Sequence, residues 1–300
     1  MRDQKPIIPT STVPDRSVSL NLGRPVDLVR TVAHGRMGFG DPCLRVQPDG
    51  LWRATRTPDG LASQRLRLVR RGIVQVDAWG PGADWLIEHA PALCGTFDRP
   101  EGFAPDQPLL RHLVHVHPGL RIGRTDAIFE TSLFVTLEQK IATREAWRNW
   151  RLMVRVLGER APGPVADLWA PPAPRRVAAT PYEVFHRFGI ERRRADTLRR
   201  LAVVAHRLEE TVNLTLEAAY RRFQAIVGIG PWTAARTAML ALGDGDAVFV
   251  GDLHLPHLIS SALAGERRGS DERMLELLEP YRGHRARVVR LLLAGPQLSQ

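Results

Sequence analysis

Cys43 and Cys94 are the only cysteines among the 300 residues. Two thiols are too few for a disulfide framework or a four-thiolate metal or iron–sulfur site, and two reduced, partly buried thiols are expected instead. No stretch approaches the roughly 18–20 uninterrupted apolar residues of a membrane span. The opening MRDQKPIIPTSTVPDRS has no apolar core of the signal-peptide kind, so a soluble, cytoplasmic protein is expected. Lysine is nearly absent, at Lys5 and Lys140 only, yet the net charge is +10, carried by arginine. There is no Ser/His/Asp triad signature, no G-x-S-x-G and no Walker motif.

The arginine surplus suits a polyanionic partner, because each phosphate contact releases counterions. A GC-rich genome would also favour arginine, so charge alone does not identify that partner. Apolar residues make up 44% of the chain, enough for sizeable cores. Residues 1–16 are polar and proline-bearing and read as a loose leader. From 17 to about 80, short alternating runs are punctuated by Pro-Asp-Gly at 48–50 and 58–60, where proline presets φ and glycine supplies positive φ. A helix start over 25–33 and a short helix over 82–94 complete a small α+β unit, residues 17–105, with an antiparallel sheet.

Helical periodicity then takes over, predicting an all-α domain over 106–300. Its helices are expected at 126–141, 143–158, 181–188, 191–209, 214–226, 231–242, 255–264, 271–279 and 282–294. The proline- and alanine-rich stretch 161–180 reads as a long surface connection.

The informative segment is 219–264. Val227-Gly228-Ile229-Gly230 reads as a tight hairpin between two helices, and Pro231 opens the second helix where its missing N–H costs nothing. Two glycines around one apolar residue let backbone amides approach a phosphate, and the following helix start adds its dipole. A dinucleotide loop would need a preceding strand and a third glycine, where this chain has a helix and Thr233. Asp252 lies just before the 255–264 helix. It reads either as that helix's N-cap or as a catalytic carboxylate. Asp252, His254 and His257 form a D-x-H-x-x-H pattern, but the spacing puts them on no common helical face.

Val-Gly-Ile-Gly-Pro-Trp-Thr-Ala (227–234), then Ala-Met-Leu-Ala-Leu-Gly, then Val-Phe-Val-Gly-Asp resembles the helix–hairpin–helix DNA glycosylase superfamily, most closely its 3-methyladenine DNA glycosylase II branch. Weaker likeness extends over about 17–295. The resemblance implies a mainly α fold, an all-helical glycosylase domain preceded by the small α+β domain. It also implies a monofunctional enzyme removing alkylated, 3-methyladenine-like bases in base excision repair.

Asp252 takes the catalytic place, and its distance from the hairpin favours that role over a plain cap. Val227, Gly228, Ile229, Gly230 and Thr233 would grip DNA with Gln139, and Lys140 would fill the gap left by the flipped base. Trp232, Arg236 and Tyr281 would wall the base pocket, although Trp232 is equally suited to core packing. The superfamily's lyases carry a Schiff-base lysine just after the hairpin glycines, where this chain has Trp232. Its iron–sulfur branch needs cysteines beyond Cys94.

Three features depart from better-known members. Arg236 stands where tyrosine is familiar. The closing segment offers Tyr281, His284 and Arg290 but no tryptophan. Lys140 is an unusual wedge. These departures keep open a non-catalytic helix–hairpin–helix DNA-binding or damage-sensing protein. No organic cofactor is implied. The resemblance does imply a Na+ or K+ ion on the hairpin carbonyls of Ile226, Val227 and Ile229. The partner would be damaged double-stranded DNA, bound by a monomer that is nucleoid-associated when on DNA.

Overall fold

The computed structural model describes residues 11–295. Five antiparallel strands form one sheet: β1 (Arg16–Asn21), β2 (Leu44–Gln47), β3 (Gly50–Thr57), β4 (Gly60–Arg70) and β5 (Ile73–Trp79), in the order β1-β5-β4-β3-β2. The two Pro-Asp-Gly tripeptides are the hairpin turns of β2–β3 and β3–β4. Their glycines sit at φ +138° (Gly50) and +133° (Gly60), a conformation side chains resist.

Residues 1–10 of the expected leader lie outside the described residues. Asp15 and Arg16 belong to the sheet edge: the Asp15 amide donates to Ala78 O at 2.9 Å, and Arg16 opens β1.

Period-two alternation gives the sheet two working faces. Leu51, Leu66, Val74 and Val76 pack with α1 (Leu28–Val32) and α2 (Ala83–Leu93). On the other face Trp52 and Trp79 stack with ring centroids 5.2 Å apart, under Ala161, Leu168 and Ala170. The stretch 161–180 is therefore no surface connection. Two indoles on an open sheet face need a cover, and this segment supplies it, with Ser63 Oγ bonding Pro162 O at 2.5 Å.

The remaining elements are α3 (Pro108–Val116), α4 (Ile128–Leu137), α5 (Thr143–Leu157), the two-residue strands β6 (Glu159–Arg160) and β7 (Trp169–Ala170), α6 (Pro174–Ala179), α7 (Tyr182–Arg187), α8 (Arg192–Val203), α9 (Ala205–Glu209), α10 (Leu216–Gln224), α11 (Pro231–Thr237), α12 (Leu255–Ala264), α13 (Asp271–Leu278) and α14 (Arg285–Ala294). Helices α3 and α6 were not anticipated, being short and opened by proline. The 126–141 helix stops at Leu137, and Lys140 takes a left-handed φ of +53° beyond it. The 191–209 helix breaks at Val204. The 231–242 helix ends as a π turn over 238–242, closed by Gly243 at φ +73°.

Helix α4 is the axis of the helical layer: every residue but Glu130 is buried. Glu130 accepts from Arg53 (3.3 Å) and Thr55 of β3, and Arg287 of α14 clamps Asp98 at 3.0 and 2.5 Å. The first contact locks the sheet to α4 and the second ties α14 to the segment after α2, since breaking either would leave a buried unpaired charge.

The first amides of α4 have no intrahelical partner, and Glu209 of α9 accepts two of them, Ile128 N at 2.9 Å and Phe129 N at 2.8 Å. Burial, with Glu130 and Asp126 nearby, raises Glu209 from 4.5 to about 7, although the two amide bonds pull the other way. A raised folded-state value means the group's stabilisation is complete below about 4.5 and lost as pH rises through about 7. Stability should thus fall by about 2 kcal/mol between roughly pH 5.5 and 8 from this group. Glu209→Gln should flatten that dependence; melting curves equally steep in pH for both proteins would refute it.

Candidate active site and nucleic-acid interface

Helix α10 ends at Gln224, and the chain reverses through a turn in which Ile229 N donates to Ile226 O at 2.9 Å. Gly228 holds φ +103°, and a Cβ there would lie 2.1 Å from Thr197 Oγ1, so only glycine lets the hairpin seat against α8. Gly230 caps α11 in extended conformation and Pro231 occupies the first turn. Val227 projects at the tip, 70% exposed.

Gln139 lies just past the end of α4. Its Nε2 donates to Gly228 O at 2.9 Å and to Thr233 Oγ1 at 2.8 Å. Gln139 therefore staples the hairpin from within. Lys140 beside it is exposed. Of the carbonyls expected to hold a cation, that of Ile226 takes the Ile229 amide and that of Val227 takes Arg200 Nη1 at 3.3 Å.

Asp252 is placed by the segment between α11 and α12. Its Oδ1 accepts from the amides of His254 and Leu255, both at 2.9 Å, so it caps α12. Its Oδ2 accepts from Trp232 Nε1 at 2.8 Å. The capping bonds and the indole bond use different oxygens, and together they fix one half-buried carboxylate beside the first turn of α11. Trp232 packs on the helical core, as expected, and its indole also holds Asp252, a role the sequence did not suggest. The D-x-H-x-x-H residues do not converge: His254 is exposed, and His257 Nδ1 accepts the Gly269 amide at 3.1 Å.

Arg236, one turn after Trp232, places its guanidinium 5.9 Å from the indole centroid. Glu138 grips it twice, Nε to Oε2 at 2.5 Å and Nη2 to Oε1 at 3.1 Å, with both side chains largely buried. Burial works against the Arg236 charge, but Glu138 and then Asp252 outweigh it and raise the guanidinium above its ordinary value. Glu138 was missed by sequence reasoning. The available signal was a carboxylate directly before Gln139, set against an arginine where an aromatic is usual.

The structure does not bring Tyr281 into ring contact with Trp232. Tyr281 lies against Phe103, centroids 6.3 Å apart, and Phe103 is also 5.4 Å from His284. Arg290 is buried, donating to Arg30 O of α1, and burial lowers it to about 9.

The architecture is shared with solved structures. A 3-methyladenine DNA glycosylase from Archaeoglobus fulgidus superimposes with TM-score 0.80 at 19% identity, over 92% of this chain and 97% of that one. The chain has the helix–hairpin–helix DNA glycosylase fold. A Clostridium acetobutylicum 8-oxoguanine glycosylase/lyase, solved with DNA containing cytosine opposite 8-oxoguanine, matches with TM-score 0.70 at 14% identity, over 96% of each chain. The Schizosaccharomyces pombe 3-methyladenine DNA glycosylase, solved with abasic DNA, matches with TM-score 0.52 at 18% identity, over 64% of this chain and 91% of that one. No protein-family profile and no curated protein sequence matches the chain.

Proposed function

We propose that this protein is a monofunctional DNA glycosylase. It would hydrolyse the N-glycosidic bond of alkylated, 3-methyladenine-like bases in duplex DNA during base excision repair, acting as a cytoplasmic monomer. The observation that carries the proposal is the Asp252 carboxylate, held by Trp232 and the α12 turn beside the hairpin helix.

Breaking the bond builds positive charge on the deoxyribose, and a fixed, partly desolvated carboxylate stabilises it or orients the attacking water. An alkylated purine already carries positive charge and leaves neutral, so no general acid is required. Asp252 is pre-organised for that task, because three N–H donors set its geometry before DNA arrives. The hairpin over 227–233 would hold the backbone, and the target base would rotate out of the stack at a cost of a few kcal/mol.

Lyase chemistry needs a desolvated amine near the sugar. Trp232 stands beside Asp252, and the one lysine among the described residues, Lys140, is exposed on the loop after α4. Incubating the protein with methylated duplex and borohydride should release free base and trap no covalent complex. A trapped complex would make the enzyme bifunctional. The Arg236–Glu138 pair, a buried ion pair at a position where tyrosine is familiar, favours a second reading as a damage-binding protein without catalysis. Tight binding with no release from alkylated, deaminated or oxidised duplexes would select it.

A further inference from the structure

Beside the hairpin lies an open groove of about 450 Å³ between Val227–Gly228 and the exposed face of α8. Arg192, Arg193 and Arg200 line it, with Asp196 as its one acid. Arg193 and Arg200 are seven residues apart, which puts them on the same face of the helix with about 10 Å of rise between them.

Some neighbouring arginines are spent on carboxylates. Arg221 pairs with Glu217 and Arg222 with Glu210, and the buried Arg194 pairs with Glu191. The groove arginines differ: among the described residues none of the three forms an ion pair with a carboxylate. Arg192 lies over the Tyr182 ring at 4.1 Å, and Arg200 donates to the Val227 carbonyl at 3.3 Å. Hydrogen bonding to a neutral carbonyl leaves the guanidinium charge uncompensated and fixes it against the hairpin. The close seating of Gly228 on Thr197 makes hairpin and groove one rigid surface.

From this geometry we propose that Arg193 and Arg200, with Arg192 at the groove's end, form a second phosphate clamp. It carries the DNA strand from the hairpin onto the face of α8. The ligand class is the nucleic-acid phosphodiester backbone, held without regard to sequence. The clamp rests on the reading that residues 227–233 grip that same strand.

The test is the salt dependence of affinity for a duplex bearing a non-hydrolysable abasic analogue. Arg193→Ala/Arg200→Ala should weaken binding at least tenfold near 0.1 M salt and reduce the slope of log K against log [salt] by about two. Arg193→Lys/Arg200→Lys should recover the slope, which separates charge from folding. Gly230→Ala is the reference variant, because a Cβ there meets nothing within 4 Å and so folds, yet stands where a phosphate would approach. If Gly230→Ala weakens binding and the double alanine variant leaves affinity and slope unchanged, the clamp is wrong. If neither variant weakens binding, the hairpin reading fails and takes the clamp with it.

Discussion

Glu138→Ala is expected to slow base release about a hundredfold under single-turnover conditions, although residue 138 would touch neither base nor sugar. In the native protein Glu138 holds Arg236 through two hydrogen bonds, while Asp252 is already close enough to act on the guanidinium charge. Remove Glu138, and Asp252 becomes the carboxylate left beside a largely buried cation. Pairing the two would neutralise the charge that the developing sugar cation needs, and a hundredfold loss corresponds to about 2.7 kcal/mol of that stabilisation. The stranded guanidinium should also lower stability, by up to ~3 kcal/mol at a site not fully buried.

Glu138→Ala/Arg236→Met removes both charges and should recover most of the rate. That non-additivity is the signature of an arginine kept away from Asp252. A double variant as slow as Glu138→Ala would show that Glu138 acts some other way.

What the sequence made legible was local in sequence. The Pro-Asp-Gly turns, the Gly-Ile-Gly hairpin with Pro231 at the helix start, and Asp252 before α12 each depend on chemistry within a few neighbouring residues. Their placement in the structure follows from propensity and turn geometry. What stayed hidden depends on residues far apart in the chain. Glu138 meets Arg236 across 98 positions, Glu209 caps α4 across about 80, and Gln139 reaches the hairpin across about 90. Nothing in a single window encodes such partners. The 161–180 stretch misled for a related reason: proline and alanine look like a loop until Trp52 and Trp79 are seen to need covering. Asp252 was ambiguous in sequence between cap and carboxylate, and the structure gives it the cap's hydrogen bonds and the indole's together.

Asp252→Asn carries the largest expected effect, a loss of base release of about a thousandfold or more, or ~4 kcal/mol of transition-state stabilisation. An amide oxygen in place of Oδ1 can still accept from His254 and Leu255, so α12 keeps its cap. The charge is lost, and an amide NH2 facing Trp232 Nε1 would set donor against donor. Losing a negative charge beside a polyanion should leave DNA affinity unchanged or improve it.

The most direct test is therefore a paired measurement on one methylated duplex: free methylpurine released in a single turnover, and binding of the same duplex, for the native protein and for Asp252→Asn. Release by the native protein alone, with binding equal or tighter in the variant, is the predicted result. Equal release by both proteins would remove Asp252 from the chemistry, and tight binding with no release by either would make this a protein that recognises damage without cutting it out.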